Sequence, residues 1–432
     1  MDVDGSPRTA ATRERTASRW TERPAVVLML LFPLYLFILA TLLFSVNIPN
    51  WDDYVVFLKY INTLVTTNAY ADRIASLLRQ HNEHRIVLAR IWAVLNYDVL
   101  GQLDFRLLVW LGLLPWLGLY FFFWLRLGGR EHLGRNALPL ALLFFPFSQW
   151  ESLVWATISI QHYGMAACAG FTLYAAAAGS FYQKQLSIVF ASLGVFVSGS
   201  GFLVFPLCWA LYLLDRKPRM LLTSTACCLA CAVVYFNGYV SPTQTSWSMY
   251  AQLLSRWESY QFAFTFLGSY TGEAKSALSL GILLAGCIPY LCLRLKHRES
   301  RFALAVLLFC LGSGLLSAGA RLDLFGLERA LLPYHAIFSS LSLAAVYLAF
   351  AARASGRWIT LTPLFFVLLA APWYVMTLQS GLASLTERSS SLTAGMRIYL
   401  ETKDKNALSC YHVGIAEKAL QDGLLLGTYR AP

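Results

Sequence analysis

The chain has 432 residues, of which 57% are apolar and only 13% charged, and its mean hydropathy is positive. A water-soluble protein of this length carries far more charge on its surface, so a soluble domain with a single anchor is excluded. The net charge of +11 invites a nucleic-acid reading, but its distribution argues against one: the charge reports membrane orientation.

A spanning helix needs roughly 20 predominantly apolar residues. On that measure about eleven segments qualify, near 25–46, 105–125, 137–148, 162–181, 186–198, 201–214, 220–240, 276–293, 302–318, 335–352 and 358–377. The expected fold class is an all-α polytopic membrane protein. The domain plan is an amino-terminal segment 1–24, a transmembrane domain 25–377 with a first outer loop at 47–104, and an outer tail 378–432. The first apolar run has no small-x-small cleavage signal after it and reads as a retained helix. Residues 186–214 are long for one span and short for two. With Ser198-Gly199-Ser200-Gly201 near the middle they read as a hairpin, which would put Lys184 on the same side as Arg216, Lys217 and Arg219.

Lys and Arg concentrate in cytoplasmic loops. Here 18 of the 34 basic residues fall in the amino-terminal segment (Arg8 to Arg23) and in alternate loops, around Arg126 to Arg135, Lys184, Arg216 to Arg219, Arg294 to Arg301 and Arg353 to Arg357. Seven acids share those segments, so the whole net charge lies on that side and the other side is neutral. The amino terminus is therefore expected in the cytoplasm and the carboxyl terminus outside. Eight of the nine cysteines lie within or beside apolar spans. Cys227-Cys228-x-x-Cys231 reads as helix packing rather than a metal or redox motif.

The outer loops are long and the inner ones short, which points to function on the outer face. In the first outer loop, Tyr54 to Leu64, Ile74 to Leu78 and Ile86 to Leu100 have helical spacing, the last suited to lying in the membrane interface. Gly101-Gln102 ends that pattern.

Four constellations carry candidate chemistry. Asp52 and Asp53, within Trp51-Asp52-Asp53-Tyr54, can take a proton from a hydroxyl or ligate a divalent cation. Next come His81, Asn82, Glu83, His84 and Arg85. On a helix His81 would share a face with His84 and Arg85, the imidazoles could tune a proton or hold metal, and Arg85 could clamp a phosphate. Gln149-Trp150-Glu151 with Gln161-His162 forms a third group, in which the indole could support a sugar ring; the competing reading is an interfacial aromatic belt. The fourth is Arg321, Asp323, Glu328, Arg329, Tyr334 and His335, suited to a lipid phosphate or to a salt-bridged loop. The repeated Trp-Glu-Ser at Trp150 and Trp257 reads as chance. No nucleotide-binding glycine loop or nucleophile elbow is present.

The order of these features resembles the GT-C class of membrane glycosyltransferases, including protein mannosyltransferases and lipid A aminoarabinose transferases. The likeness rests on a first span, Trp51-Asp52-Asp53-Tyr54, the long outer loop, His81 to Arg85, amphipathic Ile86 to Leu100, and Gly101-Gln102-Leu103-Asp104-Phe105-Arg106 entering span two. Phe147 to Glu151 and Gly326 to Tyr334 resemble the group more loosely. The resemblance implies a polyprenyl-phosphate sugar donor and a glycan, lipid or protein acceptor. It implies an acidic loop-one residue at the reacting carbon or at a metal, Asp52 or Asp53, with Glu83 a further candidate catalytic acid. It also implies a basic group for the donor phosphate, for which Arg85, Arg321 and Arg329 compete, with His335 beside them. His81, His84, Trp150, Glu151, Gln161, His162 and Tyr334 are the expected substrate contacts. Asp53 and His84 are the expected ligands if a divalent metal is used. A lipid-linked sugar transporter or flippase and a noncatalytic assembly subunit are the competing readings.

Overall fold

A computed structural model describes residues 30–128, 133–240 and 255–432. The basic residues Arg8 to Arg23, together with Arg130, Glu131, the start of the first apolar run and residues 241–254 of an outer loop, lie outside the described residues. Among the described residues the chain is helical and has no β-strand.

Among the described residues sixteen α-helices of eight residues or more follow in order, with short helical turns between them. They are α1 (Phe32–Phe44), α2 (Lys59–Thr66), α3 (Tyr70–Leu78), α4 (Val87–Leu100), α5 (Phe105–Arg126), α6 (Leu133–Phe144), α7 (Gly164–Ala176) and α8 (Phe181–Val195). Then come α9 (Val204–Leu214), α10 (Pro218–Phe236), α11 (Trp257–Leu267), α12 (Ala274–Cys292), α13 (Arg298–Phe325), α14 (Ala336–Ala351), α15 (Trp358–Thr402) and α16 (Val413–Leu426). Among the described residues six helices are long and apolar enough to cross a membrane: α5, α10, α12, α13, Pro333–Ala351 and α15. Helix occurs in all eleven apolar segments, but the other five segments hold shorter helices.

Local chemistry sets several boundaries. Asp104 caps α5 by accepting from the backbone N–H of Arg106 at 2.9 Å and of Leu107 at 3.4 Å, an arrangement that typically contributes about 1 kcal/mol. Gly101, with φ of +70°, ends α4 in the left-handed conformation, which glycine adopts without a Cβ penalty. The expected hairpin is present: α8 and α9 are separated by a 3-10 turn at Gly199–Leu203. A Cβ on Gly201 would lie 2.4 Å from the Gly194 carbonyl carbon, so the two arms meet backbone to backbone.

The basic loops converge at one end of the bundle. Lys184 Nζ lies 2.5 Å from Asp215 Oδ2, and the other Asp215 oxygen pairs with Arg301. At the same end the guanidinium groups of Arg126 and Arg298 lie 5.4 and 3.9 Å from the Tyr174 ring centroid. All nine cysteines are free.

A large core joins α1 with α5 to α15, and Pro333–Ala351 is the most enclosed of the six long helices. A second core, at the opposite end from the basic loops, joins the first outer loop to the carboxyl-terminal residues. Its members include Ile48, Phe57, Phe105, Met396, Leu420 and Tyr429. Polar ties reinforce it: Asn62 donates to the Ala419 carbonyl at 2.8 Å and accepts from Thr428, and Tyr429 donates to the Asn47 carbonyl at 2.7 Å. The tail is therefore part of the loop-one structure. The first part of the tail, through Thr402, is the end of α15, one continuous helix of 45 residues.

Candidate functional site

Loop one begins with a left-handed residue, Trp51, at φ +51°. Such a conformation in a bulky residue is an outlier and persists only when its surroundings hold it. Here its N–H donates to the Ser409 carbonyl at 2.8 Å, and its ring packs against Tyr411 and Trp155, with centroids 4.0 and 6.1 Å away. The clamp sends the next two aspartates in different directions.

Asp53 points inward and is 1% exposed. Its Oδ1 accepts from the Thr157 hydroxyl at 2.6 Å and the Thr157 N–H at 2.9 Å, and its Oδ2 accepts from the Asn50 N–H at 3.1 Å. Asp53 thus ties loop one to the segment before Ser159. Burial pushes its carboxyl up to about 7, against these three hydrogen bonds, which favour the ionised form. Asp52 keeps 41% of its side chain exposed, and its Oδ1 lies 3.6 Å from His81 Nε2.

His81 to His84 do not form the helical face expected from their spacing. They make a tight reverse turn, with His81 N–H donating to the His84 carbonyl and His84 N–H to the His81 carbonyl, both at 2.8 Å. Asn82 takes the positive φ of +48° that this turn needs, a conformation Asn tolerates better than most residues. The turn puts His81 beside Asp52 and leaves Glu83 half-buried. The Glu83 carbonyl accepts from the Tyr235 hydroxyl at 2.9 Å. His84 Nδ1 accepts from the Gly199 N–H at 3.2 Å, which leaves the neutral ring's proton on Nε2. Burial pulls its pKa down to about 4; Glu83 and Asp52 oppose the shift, and Arg321 and His81 reinforce it.

Arg85 has a different place from the expected phosphate clamp. Its guanidinium donates to the carbonyls of Tyr235, Leu78 and Asn237. Arg90 donates to the carbonyls of Leu77 and Arg79. Together these arginines satisfy the free carbonyls at the ends of α3 and α10, so Arg85 is committed to joining elements.

The remaining groups arrive from distant segments. Two π-helical turns, Tyr54–Leu58 and Ser159–Tyr163, adjoin the site; such turns often occur at functional positions. Gly112 makes room for the second: a Cβ there would lie 2.4 Å from Ser159 Oγ and 2.5 Å from the Ile160 nitrogen. That turn carries half-buried Gln161 and His162, whose ring stands 4.4 Å from the Tyr334 ring. Arg321, near the end of α13, has Nη1 at 3.4 Å from both the Tyr334 hydroxyl and His335 Nε2. The same guanidinium is within electrostatic reach of His84 and His162. One imidazole thus touches this cation and two more lie within its field.

No carboxylate lies within ion-pair distance of Arg321 among the described residues. Nearby Asp323 instead pairs with Arg256 at 2.5 Å. Of the two readings open for this loop, an ion pair forms at Asp323, whereas Arg321 is a cation facing the neutral acceptors Tyr334 Oη and His335 Nε2. Arg329 packs its guanidinium 4.5 Å from the Phe325 ring centroid.

Glu151 forms the other wall. Burial pushes its carboxyl up to about 7, with Arg388 and Arg329 opposing the shift. Its Oε1 lies 3.8 Å from Arg388 Nη2, and Oε2 has no hydrogen-bond partner. Trp150 sits beside the same arginine, 6.0 Å from guanidinium carbon to ring centroid.

Both Asp53 oxygens and His84 Nδ1 already accept hydrogen bonds, and among the described residues no group of three or more His, Cys, Asp or Glu is arranged around a common point.

The structure therefore gathers Asp52, His81, His84, His162, Arg321, Tyr334 and His335 at the end of the bundle away from the basic loops, with Glu151 and Trp150 alongside. It turns Asp53 and Arg85 to structural bonds. Sequence spacing missed Thr157, which holds Asp53, and Arg388, which meets Glu151. Neither stands in a motif. Their roles arise where separate helices cross.

Raised carboxyl pKa values have a measurable consequence. Between the ordinary carboxylate range and about 7, the unfolded chain releases protons that folded Asp53 and Glu151 retain. Their contribution to stability is complete below that range and is lost as pH rises through about 7. The thermal midpoint of the purified protein should fall across this interval, and Asp53→Asn and Glu151→Gln should each flatten the slope. A midpoint that rises over the same interval in the parent protein would contradict the assignment.

No protein-family model, curated protein or solved structure matches this chain.

Proposed function

We propose that this chain is a membrane glycosyltransferase of the GT-C type, taking a sugar from a polyprenyl-phosphate donor and passing it to a hydroxyl acceptor on the outer face of a bacterial inner membrane. In this reading the eleven apolar segments are all membrane-spanning, the amino terminus is cytoplasmic and the carboxyl terminus is outside. The convergence of the basic loops at one end and the polar cluster at the other supports that orientation. The observation that carries the proposal is the accessible carboxylate of Asp52 in the same cluster as the uncompensated guanidinium of Arg321.

The acceptor oxygen attacks the anomeric carbon while Asp52 takes its proton. The carbon–oxygen bond to the phosphate breaks, and polyprenyl phosphate leaves with the bonding electron pair. Arg321 balances the charge on the departing phosphate, and His84 Nε2–H is a neutral donor on the same side. His81 then receives the proton from Asp52 and returns it to water. Direct displacement inverts the anomeric centre.

Proteoliposomes holding the purified chain and a polyprenyl-phosphate sugar provide the test. Free polyprenyl phosphate and a new glycoside are expected to accumulate together. Lipid-linked sugar that crosses the bilayer without either product would replace this reading with transport.

A further inference from the structure

Helix α15 is 45 residues long, or roughly 67 Å at the usual rise. This is about twice the ~30 Å hydrocarbon core of a bilayer. Its apolar part ends near Thr377, and the remainder projects along the candidate site. Ser384, Glu387, Arg388 and Ser391 recur there at spacings of three and four, which puts them on one face.

That face looks onto Trp150 across a cavity of about 290 Å³, lined by Trp150, Ser384, Glu387, Arg388 and Ser391. A close contact sets the wall separation. A Cβ on Gly381 would lie 2.6 Å from the Phe147 carbonyl oxygen and 2.7 Å from Phe147 Cβ. Glycine thereby lets the 3-10 turn at Phe147–Leu153 press directly on α15.

The lining is chemically mixed. It has an indole, two hydroxyls, one carboxylate and one guanidinium. Behind it stands Glu151, 8% exposed, with its Oε2 lacking a partner. A buried polar atom without a partner is uncommon and calls for a missing donor. Opposite charges on Glu387 and Arg388 nearly cancel, so the cavity has little preference for an anion. Arg321, lacking an acidic partner, is the better place for phosphate. An indole with hydroxyl and paired ionic groups suits a neutral ring with an apolar face and several hydroxyls.

We infer that the cavity between Trp150 and α15 is a saccharide subsite, in which a single pyranose lies against Trp150 and its hydroxyls meet Ser384, Glu387, Arg388 and Ser391. A ligand hydroxyl reaching inward supplies the donor that Glu151 Oε2 lacks. The volume, at the lower end of ligand cavities, suits one ring rather than an extended chain. Naming this saccharide as the acceptor rests on the glycosyltransferase reading; its binding does not.

The full chain in lipid nanodiscs can be titrated with a panel of methyl glycosides, with inorganic phosphate as the anionic probe, and binding read by saturation-transfer NMR. At least one glycoside is expected to bind in the millimolar range or tighter, and Trp150→Ala should weaken it about tenfold. The double variant Ser384→Leu, Ser391→Leu should do the same, and because Ser391 is exposed and Ser384 half-buried, it guards against a fold defect at Trp150. Failure of every glycoside to bind overturns the subsite, as does binding unchanged in both variants or displaced by phosphate. Trp150-dependent binding without any transfer product would leave the subsite standing and remove the transferase reading. Transfer with no glycoside binding would remove the subsite alone.

Discussion

Asp52→Asn is expected to lower glycosyl transfer by about 10²- to 10⁴-fold and to leave the thermal midpoint nearly unchanged. The side chain is 41% exposed and its ion partner is His81, so an amide there disturbs little packing. Asp53→Asn should behave in the opposite way. Asparagine can accept at one oxygen, but its NH₂ group would face an N–H donor from Asn50 or Thr157. One buried donor is then left unsatisfied, at a cost of about 1–3 kcal/mol. Measuring turnover and melting together on both variants separates the two roles. Full transfer by folded Asp52→Asn would end its assignment as the base.

The second large effect is expected at Arg321. Arg321→Ala should reduce transfer by about 10²- to 10³-fold, the usual range for losing a preorganised donor to developing charge. Arg321→Lys should recover only part of it, because a lysine supplies the charge without the planar fork. Arg329→Ala should cost less, since its guanidinium lies over Phe325 rather than among the imidazoles. Arg85→Ala should lose structure before donor affinity, because three carbonyls would lose their donor. Donor KM and thermal midpoint, determined for the four variants, provide the comparison. Unchanged donor kinetics in Arg321→Ala would move the phosphate elsewhere.

Much of the helical framework could be read from hydropathy because burial in lipid or in a helical core demands long apolar runs. The loop-one helices and the hairpin near Gly201 were also readable, the first from periodicity and the second from its small residues. The polar turn at His81 was not, because helical spacing and a four-residue turn use the same residue types until a positive φ at Asn82 is known. The roles of Asp52 and Asp53 could not be separated either. Adjacent identical side chains differ here only through the bend at Trp51 and the distant Thr157. Arg85 and Arg321 show the same limit: both are arginines near polar clusters, but only the fold reveals which one has its donors committed to carbonyls.

The ties between the two ends of the chain also impose an order in time. Asn47 and Asn62 emerge from the ribosome long before Thr428 and Tyr429, which complete their hydrogen bonds. Such long sequence separation slows folding because the intervening chain must first be organised. Loop one therefore lacks these two bonds until synthesis has passed Tyr429. A chain interrupted before Thr428 has the aspartates of loop one but lacks the partners that tie Asn47 and Asn62 in place.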